Sequence, residues 1–224
     1  MINYPRNWQE IGLEVSLHSL QDAIEEAIVD CGVRNLALSG GIDSTLLLYF
    51  MNKMLIGKIN CYTIALNENH PDYTNAKIAA KYFNVELHPY FLNENKQPDE
   101  IVKTFYELLH RDGITKIIAG DGIDEFTCGY YHHVQDPSEQ NYVSWLRRLN
   151  PEQLTPLNTN SGEVAVYLPY LSPKVVSLLS LIPCYEKVDS SHRKKVIVDM
   201  ARGHIPEEII NRRKYGFCDA GKIK

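Results

Sequence analysis

The chain has 224 residues, of which 44% are apolar and 23% are charged, and its formal net charge at pH 7 is −5. This size and composition indicate one soluble globular domain, and the acidic balance argues against a general nucleic-acid or membrane-surface binder. No apolar run approaches the roughly 20 residues that span a bilayer, and the polar N-terminal residues are unlike a signal peptide. We therefore expect a cytoplasmic protein without a membrane segment.

The first half of the chain alternates helical and strand patterns. Leucine and isoleucine recur at helical spacing after Ser16, and short apolar runs separate the later helical segments. In chain order the pattern predicts a helix over 16–31, a strand over 35–38, a helix over 44–55, a strand over 58–65, a helix over 71–83, a strand over 85–91, a helix over 98–111 and a strand over 115–119. This order predicts an α/β fold, an open parallel sheet with helices on both faces. Ligands of such sheets bind at the carboxyl ends of the strands.

The pattern changes after residue 131. Residues 136–161 are polar and contain three prolines, and helical periodicity returns from Ser172 onward in SPKVVSLLSLI, SHRKKVIVDMARG and PEEIINRRK. We therefore predict a single domain over 1–224, with an α/β core at 33–131 and a mostly helical part at 132–224.

The cysteines give no sign of a metal or disulfide framework. They are scattered, odd in number and never arranged as CxxC, at Cys31, Cys61, Cys128, Cys184 and Cys218. We expect neither a structural zinc site nor a disulfide framework.

The first loop with candidate ligand-binding residues is SGGIDS, which lies between the strand at 35–38 and the helix that follows. Two glycines let the backbone approach an anion, and the N–H groups at the helix start favour negative charge. The lysine of the GxxxxGK[ST] phosphate loop is absent. Asp43 beside a polyphosphate is favourable if Mg²⁺ lies between the two, because Mg²⁺ bridges carboxylate and phosphate oxygens.

A second stretch with candidate functional residues at the end of a strand is GDGIDEF, which follows the strand at 115–119. It places Asp121 in a glycine-rich loop and Asp124 and Glu125 in a first helical turn. Taken alone, this stretch indicates only an acidic helix N-terminus.

Together the two loops resemble a known family. SGGIDS is similar to the PP-loop of the ATP pyrophosphatase superfamily, and GDGIDE followed by GY resembles a motif of the asparagine synthetase family. Two further stretches are similar to that family: LPYLS at 168–172 to its PFLD turn, and the segment at 194–217 to its K..LR.a….lPeei..R.K.GF pattern.

The resemblance implies an ATP-dependent amide-forming ligase that adenylates a carboxylate, releases pyrophosphate and passes the acyl group to ammonia or an amine. The core at 33–131 would bind the nucleotide, and ATP and Mg²⁺ would be the cofactors. The implied roles are β/γ-phosphate binding for Ser39, Gly40, Gly41, Asp43 and Ser44; the adenosine pocket for Leu38, Ile64 and Gly120; Mg²⁺ for Asp43 and Asp124; the acyl group and amine for Asp121; the α-phosphate for Lys194; and phosphate for Lys214.

The chain departs from the family in four respects. It shows no glutaminase domain and no cysteine after Met1, so ammonia would come from solution or from a separate glutaminase partner, or another amine would serve. The segment before the PFLD-like turn is short. The acid and arginine of the family are replaced in AVYL at 165–168, with Ser172 in place of the final aspartate, which weakens aspartate as the acceptor. Cys128 stands where a glycine is usual.

Two other functions stay open. One is a PP-loop ATP pyrophosphatase that acts in nucleobase or tRNA modification or in sulfur transfer, and the other is a non-catalytic ATP-binding subunit. The histidine pair 132–133 and the basic clusters 147–148 and 212–214 are expected to lie on solvated faces.

Overall fold

A computed structural model describes residues 16–92, 94 and 96–212 of the chain. Its centre is one five-stranded sheet in the spatial order β3-β2-β1-β4-β5. Every pairing of neighbouring strands is parallel. The strands are β1 (Asn35–Ala37), β2 (Asn60–Ala65), β3 (Glu86–Phe91), β4 (Lys116–Ile118) and β5 (Ala165–Tyr167).

Four long helices connect or precede the first strands: α1 (Leu17–Cys31), α2 (Ile42–Met54), α3 (Pro71–Tyr82) and α4 (Pro98–Arg111). Their starts follow from local chemistry. The Ser16 hydroxyl accepts a hydrogen bond from the Ser19 N–H at 3.0 Å and caps α1. Both α3 and α4 begin with a proline. Proline suits the first helical position because an N–H group there would have no acceptor within the helix.

The remaining helices lie mostly in the second half of the chain: α5 (Ile123–Phe126), α6 (Tyr131–Gln135), α7 (Glu139–Leu149), α8 (Thr155–Asn160), α9 (Pro173–Leu181), α10 (Cys184–Lys187), α11 (Lys195–Ala201) and α12 (Glu207–Ile210). A π-helical turn, Asn150–Leu154, joins α7 to α8, and a 3-10 turn, Pro169–Leu171, follows β5. Apolar side chains from Leu20 to Ile209 share one continuous core.

The structure confirms the predicted fold class, an open parallel sheet flanked by helices. Each helix and strand predicted before residue 120 is present, with ends shifted by at most two residues. The fifth strand was not predicted, because its three residues follow a polar, proline-containing segment. The division of one domain into parts at 33–131 and 132–224 stays a prediction. Among the described residues, no helix has the length and apolar character that crossing a bilayer requires.

One buried lysine is an exception to the apolar core. Lys187 is fully buried next to a small cluster that contains Cys128, Tyr142 and Cys184. Its Nζ donates to Tyr142 Oη at 2.8 Å and lies 4.1 Å from the centre of that ring. Burial lowers the pKa of Lys187 to about 8. The described cysteines are all free thiols, and Cys218 lies outside the described residues.

We expect Lys187→Met to stabilise the fold by about 1 to 3 kcal/mol at pH 7, because the folded state then no longer buries an ammonium group. A lysine whose folded pKa is depressed destabilises the fold below that pKa, and the penalty disappears above the unfolded pKa. The advantage of the methionine should therefore shrink as the pH rises from 8 toward 10.5. Urea unfolding of the wild type and of Lys187→Met across this pH range measures the difference in their free energies of unfolding.

Lys77→Met is the matched control, because Lys77 also lies over a tyrosine ring, that of Tyr73 at 4.7 Å, but is exposed. Its effect should stay within about 0.5 kcal/mol at every pH. A Lys187→Met protein less stable than the wild type at pH 7 would contradict the expectation.

Candidate functional site

The SGGIDS loop connects β1 to α2 and is pressed against α3. Gly40 has φ +66°, and a Cβ there would lie 2.3 Å from the backbone nitrogen of Ala76, so only glycine fits. The hydroxyls of Ser39 and Ser44 lie 3.1 Å apart across the loop. The loop is therefore a narrow turn with its backbone fixed against a neighbouring helix.

Lys194 lies between the two predicted metal-binding carboxylates. Its Nζ is 2.7 Å from both carboxylate oxygens of Asp43 and 2.6 Å from Oδ1 of Asp124. Burial acts to lower the pKa of Lys194, but the charges of Asp124 and Asp43 outweigh it and hold that pKa above its usual value. Asp43 follows β1, Asp124 follows β4, and Lys194 precedes α11, so the cluster joins both halves of the chain.

Gly129 determines how closely the second loop packs on this cluster. A Cβ at Gly129 would lie within 1.9 Å of Asp124 Oδ1 and 2.8 Å of Lys194 Cε. The Gly129 N–H donates to the Asp124 carbonyl at 2.7 Å, and Arg193 donates to the Gly129 carbonyl at 2.9 Å. A side chain at position 129 would displace the carboxylate or the lysine.

Asp121 and Glu125 have different surroundings although both belong to GDGIDE. The side chain of Asp121 reaches water in the cavity but is crowded by protein, and this loss of hydration, with the charges of Asp124 and Asp43 adding to it, raises its pKa to about 6. Glu125 is buried and accepts a hydrogen bond from Tyr130 Oη at 2.6 Å. Asp121 is thus more open to a ligand than Glu125 is.

The two loops open into a cavity of about 980 Å³. The predicted site residues that line it are Ser39, Gly41, Asp43, Ser44, Gly120, Asp121, Asp124 and Lys194. Leu38 and Ile64 are buried in the core and do not line the cavity, while Gly40 faces α3. Lys214 lies outside the described residues. The roles assigned to all these residues stay predictions.

The structure adds two residues to the site that the sequence did not assign. Tyr170 is fully buried and donates its hydroxyl to the Asp43 carbonyl at 2.9 Å. Arg212 reaches the carbonyls of the SGGIDS loop. Both positions lie within stretches that resemble the family, LPYLS and R.K.GF, which was the available signal.

Two expectations about exposed residues are wrong. Arg212 is not on a solvated face, because its side chain is 10% exposed and ion-paired. His133 is buried, and its Nδ1 accepts from the Tyr130 N–H at 3.2 Å. Distant residues supply the polar partners of Arg212, whereas the donor to His133 Nδ1 is three residues away in the chain.

Comparison with known proteins points to one family. The family model that matches is described as asparagine synthase, and it matches residues 17–109 and 157–223. A probable glutamine-hydrolysing asparagine synthetase of Acanthamoeba polyphaga mimivirus is 23% identical over 239 residues, which cover 92% of this chain and 43% of the relative. Glutamine-hydrolysing asparagine synthetase 1 of Lotus japonicus is 22% identical over 245 residues, which cover 90% of this chain and 42% of the relative. The chain thus spans less than half the length of these relatives.

Among solved structures, the U34-tRNA thiolase NcsA of Methanococcus maripaludis, with its [4Fe-4S] cluster, is similar at a TM-score of 0.45. It is 11% identical, and the match covers 96% of this chain and 74% of that one. A similarity this distant has no bearing on function.

We expect Gly40→Ala to lower the free energy of unfolding by about 3 kcal/mol or more, because a methyl group there meets the backbone of α3. Gly113→Ala is the matched control: Gly113 also has positive φ, +81°, but a Cβ there meets nothing within 4 Å. That control should cost only the backbone strain, about 1 to 2 kcal/mol. Equal losses for the two variants in urea unfolding would show that α3 does not confine the loop.

Proposed function

Because the chain belongs to the asparagine synthase family, we propose that it forms amides at the expense of ATP, with AMP and pyrophosphate as products. The observation that carries this proposal is the cluster of Lys194, Asp43 and Asp124 beside the SGGIDS loop. It provides a buried cation and two carboxylates at the carboxyl ends of neighbouring parallel strands, where such sheets bind ligands.

In the proposed first step, a carboxylate oxygen of the acceptor attacks the α-phosphorus of ATP. The bond from that phosphorus to the oxygen that bridges the α- and β-phosphates breaks, and pyrophosphate leaves with the electron pair. The SGGIDS loop would hold the β- and γ-phosphates through N–H groups and the hydroxyls of Ser39 and Ser44. Lys194 would offset the negative charge that develops on the α-phosphate.

In the second step, the nitrogen of ammonia or an amine attacks the acyl carbon, and AMP leaves. The nitrogen must then lose one proton. Asp121 lines the cavity, and its pKa of about 6 leaves it deprotonated at neutral pH but basic enough to take a proton. We assign this role to Asp121.

Asp43 and Asp124 suit Mg²⁺ as hard oxygen ligands, and their carboxylates already converge on one point, the Lys194 ammonium. The described residues contain no group of three or more His, Cys, Asp or Glu side chains that could hold a metal alone. That agrees with Mg²⁺ held by one or two carboxylates together with substrate phosphates. When bound, the ion would neutralise charge on the departing pyrophosphate.

The acceptor we propose is a small carboxylate, aspartate or a related molecule. We propose that the nitrogen comes from ammonia, an amine or a separate glutaminase; the relatives are named as glutamine-hydrolysing enzymes. We place the reaction in the cytoplasm.

The sulfur-transfer alternative gains nothing from the described residues, because no described cysteine lines the cavity. Burial also raises the pKa of Cys61 to about 12, which disfavours the reactive thiolate. No contact in the described part of the chain favours a non-catalytic role either, since Lys194 and both carboxylates are in place.

The first experiment measures AMP, pyrophosphate and ADP by mass spectrometry. The chain is incubated with Mg²⁺-ATP, ammonium and a panel of carboxylates that includes aspartate, and separately with a sulfide donor. We expect AMP and pyrophosphate in equal amounts that depend on one carboxylate. ADP as the product, sulfide-dependent AMP, or no AMP with any carboxylate would each refute the proposed function.

Substitution of Lys194 tests its role in the reaction. We expect Lys194→Met to lower the rate of AMP formation by about a hundredfold or more, because the charge on the α-phosphate is no longer offset. This variant removes the ammonium group that lies between Asp43 and Asp124, so its fold is checked by circular dichroism. Asp43→Asn is the companion variant, since it leaves Lys194 paired with Asp124, and we expect it to lose activity too.

Lys174→Met serves as the matched control. Lys174 pairs with Glu26 at 2.6 Å, and both side chains are at least half exposed and outside the cavity lining. Its activity should equal that of the wild type. A folded Lys194→Met protein with wild-type activity would show that Lys194 takes no part in the reaction.

A further inference from the structure

Arg212 ties the SGGIDS loop to α3. Its Nη1 donates to the Gly40 carbonyl at 2.8 Å and to the Ser39 carbonyl at 3.3 Å. Its Nη2 pairs with Asp72 Oδ1 at 2.5 Å, in the first turn of α3. The side chains are only 10% and 3% exposed, so both charges are shielded from water by the loop and the helix.

These contacts set the direction of two consecutive peptide groups. In a trans peptide, the carbonyl of one residue and the N–H of the next point in opposite directions. By holding the carbonyls of Ser39 and Gly40, Arg212 fixes the N–H groups of Gly40 and Gly41 away from itself. The Gly41 N–H has only a long contact, 3.3 Å to Ser39 Oγ, which a stronger acceptor can replace.

The need for such a restraint follows from the loop sequence. Two adjacent glycines leave the backbone more freedom than any other pair, and Gly40 is held at φ +66°. Contact with α3 confines Gly40 sterically, but it does not determine which way the peptide groups face. A guanidinium that donates to two carbonyls and to a fixed carboxylate does determine the direction of the peptide groups, because its donors form a rigid plane.

We propose that Arg212 and Asp72 are a positioning pair that holds the SGGIDS loop ready to receive a phosphate chain. Arg212 acts on the loop carbonyls and Asp72 acts on Arg212. The inference rests on the proposed function only in taking the phosphates of ATP as the ligand of this loop.

The test measures binding without turnover. By calorimetry, α,β-methylene-ATP, pyrophosphate and adenosine are each titrated into the wild type and into Arg212→Lys. Lysine keeps the charge but loses the planar donors, so we expect about ten- to hundredfold weaker binding of the analogue and of pyrophosphate. Adenosine binding should change less than about twofold, since adenosine has no phosphate.

Asp72→Asn distinguishes positioning from direct phosphate binding by Arg212. If Arg212 positions the loop, loss of its ionic partner weakens binding of α,β-methylene-ATP several-fold. If Arg212 instead binds phosphate itself, removal of the nearby negative charge strengthens that binding, which would overturn the proposal. This variant also keeps the proposal testable if Arg212→Lys does not fold.

Two further readouts complete the test. Arg111→Lys, at an exposed pair with Asp112, is the matched control and should bind all three ligands as the wild type does. In ligand-free protein, the amide NMR signals of Gly40 and Gly41 should shift in Arg212→Lys and not in the control. Equal losses for adenosine and the ATP analogue, or unchanged binding of both, would refute the positioning role.

Failure of the proposed function has a separate signature. A wild type that binds α,β-methylene-ATP but forms no AMP with any carboxylate refutes the amide-forming reaction and leaves the positioning pair intact. A wild type that binds neither the analogue nor pyrophosphate refutes both.

Discussion

The site depends on one buried ammonium group. Lys194 is 1% exposed, and burial of a lone charge is costly enough that it persists only with close partners. Asp43 and Asp124 supply them, and in turn they could not lie so near each other without the cation. Lys194 adopts φ +57°, a conformation that costs a non-glycine residue about 1 kcal/mol. The pairing offsets that strain and joins the helical second half of the chain to both strand ends.

The net charge of these three groups bears on the kind of ion that they attract. The ammonium and two carboxylates carry a net charge of −1, so the cluster favours a divalent cation over a bare polyanion. In the proposed reaction, a Mg²⁺ ion would share these carboxylates with the phosphates of ATP, and Lys194 would remain beside them. A cation already in the site requires little reorganisation when negative charge develops, which is the physical basis of electrostatic preorganisation.

Local signals made much of the fold and part of the site predictable. Alternating helices and strands follow from periodicity, and a parallel sheet places the carboxyl ends of all its strands at one edge. That β1 and β4 are neighbours is known only from the structure. Contacts between distant residues had no local signal. Arg212 lies 172 residues from Gly40, and Tyr170 lies 127 residues from Asp43. The family-like stretch around each residue marks the region but does not indicate which distant residue it contacts. Lys187 likewise gave no sign that it would be buried beside two thiols.

The residues substituted relative to the family, Cys128, those at 165–168 and Ser172, do not line the cavity, whereas the short segment before the PFLD-like turn contributes Asn160 to it. Cys128 takes the place of a glycine and adopts φ +56°, yet its thiol packs 3.8 Å from that of Cys184 and does not line the cavity. Ala165–Tyr167 pairs with β4 as an edge strand. Ser172 occupies the N-cap position of α9, but its hydroxyl makes no capping hydrogen bond. These substitutions therefore change packing and strand pairing rather than the groups that a ligand meets. In the proposed reaction, the acceptor would instead meet side chains that line the cavity, such as Val102, Tyr106 and Asn160 from α4 and α8.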